Sequence, residues 1–164
     1  MSTIAVYLRQ MDFNRTRTIA TLDDIAKQAD PVAVLGWQPG PGRAHLAWQF
    51  LHIGITEELF ATERLFGRPP GFSELIPRFR GGSTPDRDIP TPEGIRDVLQ
   101  ETRTHLQNAL GTFSDQDLGV VPEAFRERGW TLERILQVIC WHEAHHQGQA
   151  HAVLNLWKSS HGAA

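Results

Sequence analysis

The sequence has little or nothing of several features that define whole classes of protein. It contains one cysteine, Cys140, so no disulfide can form within the chain, which fits a reducing compartment. No stretch approaches the roughly 20 apolar residues that a membrane-spanning helix needs, and the first residues do not read as a signal peptide. We therefore expect a cytoplasmic protein that does not enter a membrane.

An excess of charge of one sign is missing as well. The formal net charge is −3 and 21% of the residues are charged, so binding to nucleic acid is not expected. The 164 residues, of which 40% are hydrophobic, suit one globular domain over residues 1–164. Against this ordinary background, eight histidines and five tryptophans stand beside a single tyrosine.

Strand signals are also absent, because no segment alternates apolar and polar residues over the length of a strand. Proline and glycine instead divide the chain into four segments in which apolar residues recur every three or four positions. Thr91 and Thr131 are suited to cap the last two segments, and Pro92 is suited to a first helical turn. The four predicted helices span about residues 3–27, 43–66, 91–113 and 131–157.

Four amphipathic helices without a sheet predict an all-α fold, and more closely a four-helix bundle. The connection between the second and third helices is long, at about 25 residues. A loop of this length permits a crossover, so simple up-and-down order is not required. It can also form one wall of a pocket, since long loops in compact domains are often functional.

Histidines interrupt two of the apolar stripes. His142 and His146 are four residues apart and therefore lie on one face of the last helix, one turn from each other. His52 takes a similar position in the second helix, between Trp48 and Ile55. Burying imidazoles is costly unless each finds a partner. Each of these rings can be hydrogen bonded to a carbonyl, but one divalent metal would satisfy all three and keep an open position, as in catalytic sites.

The residues from His142 to His146 also match H-E-x-x-H, the helix of zinc proteases in which the glutamate is a general base. The longer protease motif requires glycine and histidine where this chain has Gln149 and Ala152, and no sheet accompanies the helix. This mismatch argues against a protease. Glu143 is then either a solvent-facing residue or a group beside the metal, and Gln149 is a candidate to orient a ligand histidine or bind substrate.

A family resemblance rests on two segments. Residues 46–67, LAWQFLHIGITEELFATERLFG, resemble the second-helix motif of DinB/YfiT-like proteins, and residues 130–154, WTLERILQVICWHEAHHQGQAHAVL, resemble the last conserved helix of that family. The resemblance implies a bundle with a long crossover between helices two and three. It also implies a site at His52, His142 and His146 for one divalent metal, zinc or nickel first and iron as a further possibility. Homodimers are common in the family.

The resemblance also implies chemistry. Members with assigned activities resemble transferases and isomerases that use low-molecular-weight thiols such as bacillithiol or mycothiol. We therefore expect a metal-dependent enzyme that activates such a thiol for transfer to a small electrophile. Three alternatives stay open: a metal-dependent hydrolase in which Glu143 or His145 moves protons, a non-catalytic protein that binds a metal or small ligand, and a helical protein without a metal.

Arginines in or beside the long loop are further candidates, because their guanidinium groups can bind the acidic groups of a thiol. They can equally be solvated residues of a loop. The candidates are Arg68, Arg78, Arg80 and Arg87.

Overall fold

Helices make up the regular structure of residues 2–162, the part of the chain that the computed structural model describes. No strand is present among these residues, so the predicted all-α class is confirmed. None of these helices combines the length and apolar composition needed to cross a membrane. A π-helical turn, Phe60–Arg64, continues the third helix, and 3₁₀ turns lie at Asp115–Asp117 and Glu123–Arg128. The α-helices are α1 (Thr3–Ala26), α2 (Pro31–Gly36), α3 (Leu46–Leu59), α4 (Ile76–Phe79), α5 (Pro92–Leu110) and α6 (Leu132–His161).

Polar caps set the starts of the long helices. The hydroxyls of Thr91 and Thr131 accept hydrogen bonds from main-chain N–H groups three residues further on, as predicted for α5 and α6. The structure begins α3 at Leu46, slightly later than the predicted position 43. The reason is that His45 caps this helix, since its Nδ1 accepts a hydrogen bond from the N–H of Trp48 at 3.0 Å.

Two short helices, α2 and α4, were not predicted. Asp30 caps α2 by accepting a hydrogen bond from the N–H of Ala33 at 3.0 Å, and Pro31 opens the helix. The helix α4 lies within the long connection and puts Phe79 in the core, where only 1% of this residue is exposed. The helix α2 thus orders the connection between α1 and α3, and α4 orders the connection between α3 and α5.

Hydrogen bonds between helices fix their relative directions. Asn14 of α1 donates to the carbonyl of Cys140 of α6 at 2.8 Å, and seven residues further along both helices Gln147 donates to Thr21 at 3.3 Å. The helices α1 and α6 are therefore parallel. Between α3 and α6, His52 contacts His142, whereas Gln49, earlier in α3, contacts His146, later in α6. This pair of helices is therefore antiparallel.

The long connection joins two parallel helices. Arg103 of α5 donates to Glu57 of α3 at 2.6 Å, and one residue further along α3 the carboxylate of Glu58 pairs with His105 at 2.6 Å. Since α3 and α5 point the same way, residues 65–91 must return along the length of the helices. The four long helices thus follow the order up, down, down, up rather than simple alternation.

The helix α3 lies at the centre of the arrangement, and all of its residues are buried. It packs against both α5 and α6. One predicted core residue, Leu156 of α6, is instead 53% exposed. The prediction was wrong there because the buried face at the end of α6 runs through Ala150, Val153 and Leu154, and Leu156 lies outside it.

Four charged side chains meet in the core, one from each long helix. Glu57 accepts hydrogen bonds from Arg15 at 2.8 Å and from Arg103 at 2.6 Å. Glu143 accepts from Arg15 at 2.7 Å and from Arg103, and also from the Thr18 hydroxyl at 2.9 Å. No more than 12% of any of these charged side chains is exposed. This buried network joins α1, α3, α5 and α6.

The arginines keep Glu57 ionised. Burial alone raises the pKa of this carboxyl, but the charges of Arg15 and Arg103 outweigh it, so the pKa lies below its usual value. A lowered pKa in the folded state means that Glu57 contributes its stability above the pH at which it titrates in the unfolded chain, about 4.3. That contribution is lost as the pH falls through the lower folded value.

We expect Glu57→Gln to lower the free energy of unfolding of the metal-free protein by about 3–5 kcal/mol, because two buried guanidinium groups then share one carboxylate. Urea denaturation followed by circular dichroism measures the loss. The exposed Glu74 provides the matched control, and Glu74→Gln is expected to change stability by no more than about 0.5 kcal/mol. A loss below about 1 kcal/mol for Glu57→Gln would contradict the importance of the network.

Candidate metal centre

The three predicted histidine ligands converge between α3 and α6. One ring nitrogen from each of His52, His142 and His146 lies within 4.8 Å of the corresponding atoms of the other two. The Nε2 atoms of His52 and His142 are 3.1 Å apart. Two nitrogens bound to one tetrahedral zinc ion lie about 3.3 Å apart, given bonds of about 2.0–2.1 Å. The arrangement therefore has the dimensions of a shared metal site.

The ring of His52 is held by the long connection and by its own helix. Its Nδ1–H donates to the main-chain carbonyl of Phe79 at 2.7 Å, because a carbonyl oxygen only accepts. The ring also stacks on Trp48, with centroids 4.4 Å apart, and Trp48 donates from Nε1 to the Ser83 hydroxyl at 2.9 Å. With the proton on Nδ1, the neutral ring has a free lone pair on Nε2 to offer to a metal.

The ring of His146 is fixed by a side chain of α3. Its Nδ1–H donates to Oε1 of Gln49 at 2.6 Å, so Nε2 again carries the lone pair in the neutral ring. Gln49 is buried, at 6% exposed, and lies one turn before His52 on α3. Such hydrogen bonds to the far side of a ligand ring select the tautomer and the orientation that metal binding needs.

Burial keeps the imidazoles neutral. It lowers the pKa of His142 to about 2, with further contributions from the neighbouring rings of His146 and His52. It lowers the pKa of His146 to about 3, and the pKa of His52 is lowered by the same cause. Near neutral pH all three rings are therefore unprotonated, the form that binds a metal. An all-imidazole donor set suits zinc, nickel, copper and iron, so the residues present fit a divalent ion.

The histidine cluster borders a cavity of approximately 840 Å³. His52 and His142 form part of its wall, and three aromatic residues form another. The ring of Phe125 stacks on Phe60 with centroids 6.0 Å apart and on Trp130 with centroids 5.6 Å apart. The cavity thus offers space for a small molecule directly beside the candidate metal ligands.

The structure does not bring Glu143 to the histidine cluster. This residue is 2% exposed, so the solvent-facing position that the sequence left open is wrong. Both carboxylate oxygens are engaged by Arg15 and Arg103 in the buried network. The apolar pattern could not show this, because the partners that bury Glu143 are on other helices.

Gln149 lies at the exposed edge of the cluster. Its Nε2 is 2.9 Å from Nε2 of His145, which is also exposed. A side-chain interaction with Gln149, as acceptor, also opposes the lowering of the pKa of His146. Gln149 therefore stands beside a ligand ring, while Gln49 is the residue that orients it.

His45 and the candidate Arg78 have structural partners away from the cluster. His45 donates from Nε2 to the carbonyl of Asp86 at 2.9 Å while it caps α3. Arg78 forms two hydrogen bonds with the Asp86 carboxylate, at 2.8 and 3.0 Å, and a further ion pair with Asp88 at 3.0 Å. Arg78 thus stabilises the loop. Arg68 and Arg87 are exposed and do not line the cavity.

Sequence reasoning missed Gln49 and the Phe79 carbonyl. Gln49 carried a signal, because it is a polar residue three positions before His52 in the apolar first half of the helix. The Phe79 carbonyl carried none, since main-chain groups become visible only once the path of the connection is known.

Fold and site together define an all-α protein with a three-histidine cluster that can hold a metal ion. The sequence model of the DinB superfamily matches residues 10–150, a range that includes all three histidines. The chain belongs to the DinB superfamily, and the resemblance seen in the sequence is confirmed. A search of curated proteins finds no match, and neither does a search of solved structures.

We expect Gln49→Leu to weaken zinc binding by about 10–100-fold, because the Nδ1–H of His146 loses its acceptor and the ring loses its fixed orientation. Competition with a chromogenic chelator measures the affinity. Gln147→Leu is the matched control, since Gln147 lies next to His146 but donates to Thr21. Equal affinities for Gln49→Leu and the wild type would show that Gln49 does not support the site.

Zinc binding is expected to release fewer than about one proton at pH 6, because the three rings are already neutral in the folded protein. Three histidines with the usual pKa near 6.5 would release about two. Isothermal titration calorimetry in buffers of different ionisation enthalpy gives the number. Release of two or more protons would contradict the lowered pKa values of His142 and His146.

Proposed function

We propose that the protein is a metal-dependent enzyme that transfers a low-molecular-weight thiol to a small electrophile. The observation that carries the proposal is the position of the histidine cluster at the wall of a cavity rather than in a closed core. His52, His142 and His146 would hold one divalent ion, with zinc and nickel as the first candidates and iron as the third. Bound there, such an ion supplies the positive charge that lowers the pKa of a thiol.

The protein's own groups prepare the site. The Phe79 carbonyl and Gln49 hold the protons of His52 and His146 on Nδ1, so that both Nε2 atoms stay available to a ligand. The stacked rings beside the cluster give the cavity an apolar wall, which suits the carbon skeleton of a small substrate. These groups bind and orient, and the nucleophile comes from the thiol.

The chain's own cysteine does not serve as that nucleophile. Burial raises the pKa of the Cys140 thiol to about 11, so the reactive thiolate is scarce near neutral pH. Its Sγ contacts the main-chain carbonyl of Tyr7 at 3.7 Å, on the side of α6 that faces α1. In the proposed reaction the sulfur of the small thiol bonds to an electrophilic carbon. The leaving group departs with the bonding electrons, and the thiol proton passes to solvent.

The placement of Glu143 favours thiol transfer, because it removes one of the two bases considered for a hydrolase. A hydrolase at this site would use a protein base to take a proton from water. The carboxylate of Glu143 is held by Arg15 and Arg103 in the core, so it is not free for that role.

Assembly as a homodimer is proposed from the family resemblance alone.

The test combines the zinc- or nickel-loaded protein with bacillithiol, mycothiol and simpler thiols, and with a chromogenic aryl halide as the electrophile. We expect thiol-dependent release of the chromophore, falling to the background rate in His52→Ala together with the metal content. His151→Ala is the control, because His151 is exposed and outside the cluster.

Equal rates for His52→Ala and the wild type would remove the transferase proposal. Tight metal binding without turnover of any thiol in the panel would favour a non-catalytic metal-binding protein instead. Turnover of esters or amides without a thiol would favour the hydrolase.

A further inference from the structure

In the described part of the chain, six charged residues line the cavity beside the histidine cluster, and one of them differs from the rest. Arg64 is partly buried, whereas the other five are exposed. Among those five, Arg126 and Glu123 form an ion pair with each other. The exposed residues are Glu63, Glu123, Arg126, Glu127 and Arg128.

A π-helical turn brings Arg64 to the cavity. His52, Thr56, Phe60 and Arg64 are spaced by four residues and all line the cavity. In an α-helix each step of four residues advances about 40° around the axis, so such a row would drift away from one face. The wider π turn, Phe60–Arg64, rotates each residue by less and counteracts that drift. Single π turns of this kind are frequent at functional sites.

The guanidinium of Arg64 lies over an aromatic ring, and the described residues give it no anionic partner. Its Cζ is 4.6 Å from the centroid of the Phe60 ring. Within residues 2–162 it forms no hydrogen bond and no ion pair. The core arginines Arg15 and Arg103, by contrast, each pair with two carboxylates. A partly buried guanidinium without a carboxylate leaves five N–H donors available to a ligand.

The charges around Arg64 also bear on its availability to an anionic ligand. Burial lowers its pKa from the usual value; Glu63 opposes the shift, and the nearby charges of Arg80 and Arg128 reinforce it. Arg64 in turn contributes to the lowered pKa of both His52 and His142, so its charge acts on the cluster itself. Three neutral imidazoles would leave the charge of a divalent ion uncompensated. Together with the charge of Arg64, the charge of such an ion would favour an anion where the cavity meets the histidines.

We propose that Arg64 is the anchor of an anion-binding subsite in this cavity, which receives a carboxylate or similar anionic group of the small molecule that binds beside the histidines. A planar guanidinium binds a carboxylate through two parallel hydrogen bonds, and partial burial strengthens such a pair. The inference rests on the proposed function in that it assigns the cavity to a substrate. It narrows the substrate or the thiol to molecules that carry an acidic group.

The direct test measures binding without turnover and without metal. Succinate, phosphate and sulfate are titrated into the metal-free protein at low ionic strength by isothermal titration calorimetry, with uncharged succinamide as the ligand control. We expect at least one anion to bind with a dissociation constant below about 10 mM and succinamide not to bind. Arg64→Gln should raise that constant at least tenfold, and Arg64→Lys should raise it less, since it keeps the charge but loses the planar fork.

Arg68→Gln is the matched control, because Arg68 also lies over a phenylalanine ring, Phe66, but lines a different cavity. Its anion binding should equal that of the wild type. The proposal is overturned if no anion binds below about 10 mM, or if Arg64→Gln binds as tightly as the wild type while urea denaturation shows equal stability. Neither outcome depends on thiol transfer, so this proposal and the proposed function can fail separately.

A second measurement identifies which reactant carries the anion. With the metal-loaded enzyme, Arg64→Gln should raise KM for mercaptosuccinate at least tenfold and leave KM for 2-mercaptoethanol unchanged if the thiol is acidic. If the electrophile is acidic, KM should rise for a carboxylated aryl halide and not for its uncharged analogue. No change in either pair would overturn the assignment of Arg64 to the substrate.

Discussion

The rotation of α6 about its own axis is fixed by the buried carboxylate of Glu143. Two arginines and a threonine hydroxyl on α1 and α5 hold this carboxylate, and turning it away would leave the two buried arginines with one carboxylate between them. Because successive residues of a helix point about 100° apart, fixing Glu143 toward α1 and α5 directs His142 toward α3. The ion network and the histidine cluster are thus consequences of one helix orientation. The network thereby fixes the orientation of the helix that carries His142 and His146.

The parallel pair α3 and α5 explains why the crossover holds one side of the histidine cluster while a cavity borders the other. Parallel neighbours require a connection that returns along the length of the helices, and this connection passes the cluster, where it supplies the Phe79 carbonyl and the Ser83 hydroxyl. On the other side, the π turn and the second 3₁₀ turn surround a cavity instead of closing it. The order of the helices therefore decides where a small molecule can enter.

Much of this could be predicted from the sequence, because helical periodicity is a local property. The spacing of His142 and His146 placed both on one face, and apolar stripes located four long helices. Local patterns say nothing about which ends of two helices meet, so before the structure only the family resemblance bore on the directions of the helices. The position of Glu143 was left open for the same reason, since its partners are far away in sequence. The position of Arg64 depends on a π turn that a 3.6-residue period cannot reveal.

The two groups that orient the ligand rings differ in how freely evolution can alter them. Gln49 acts through its side chain, so a single codon change can abolish its hydrogen bond to His146. His52 relies on a main-chain oxygen, which every amino acid at position 79 would provide as long as the loop keeps its path. Exposed side chains along the crossover can therefore diversify without disturbing His52, because the partner of its ring is the main chain.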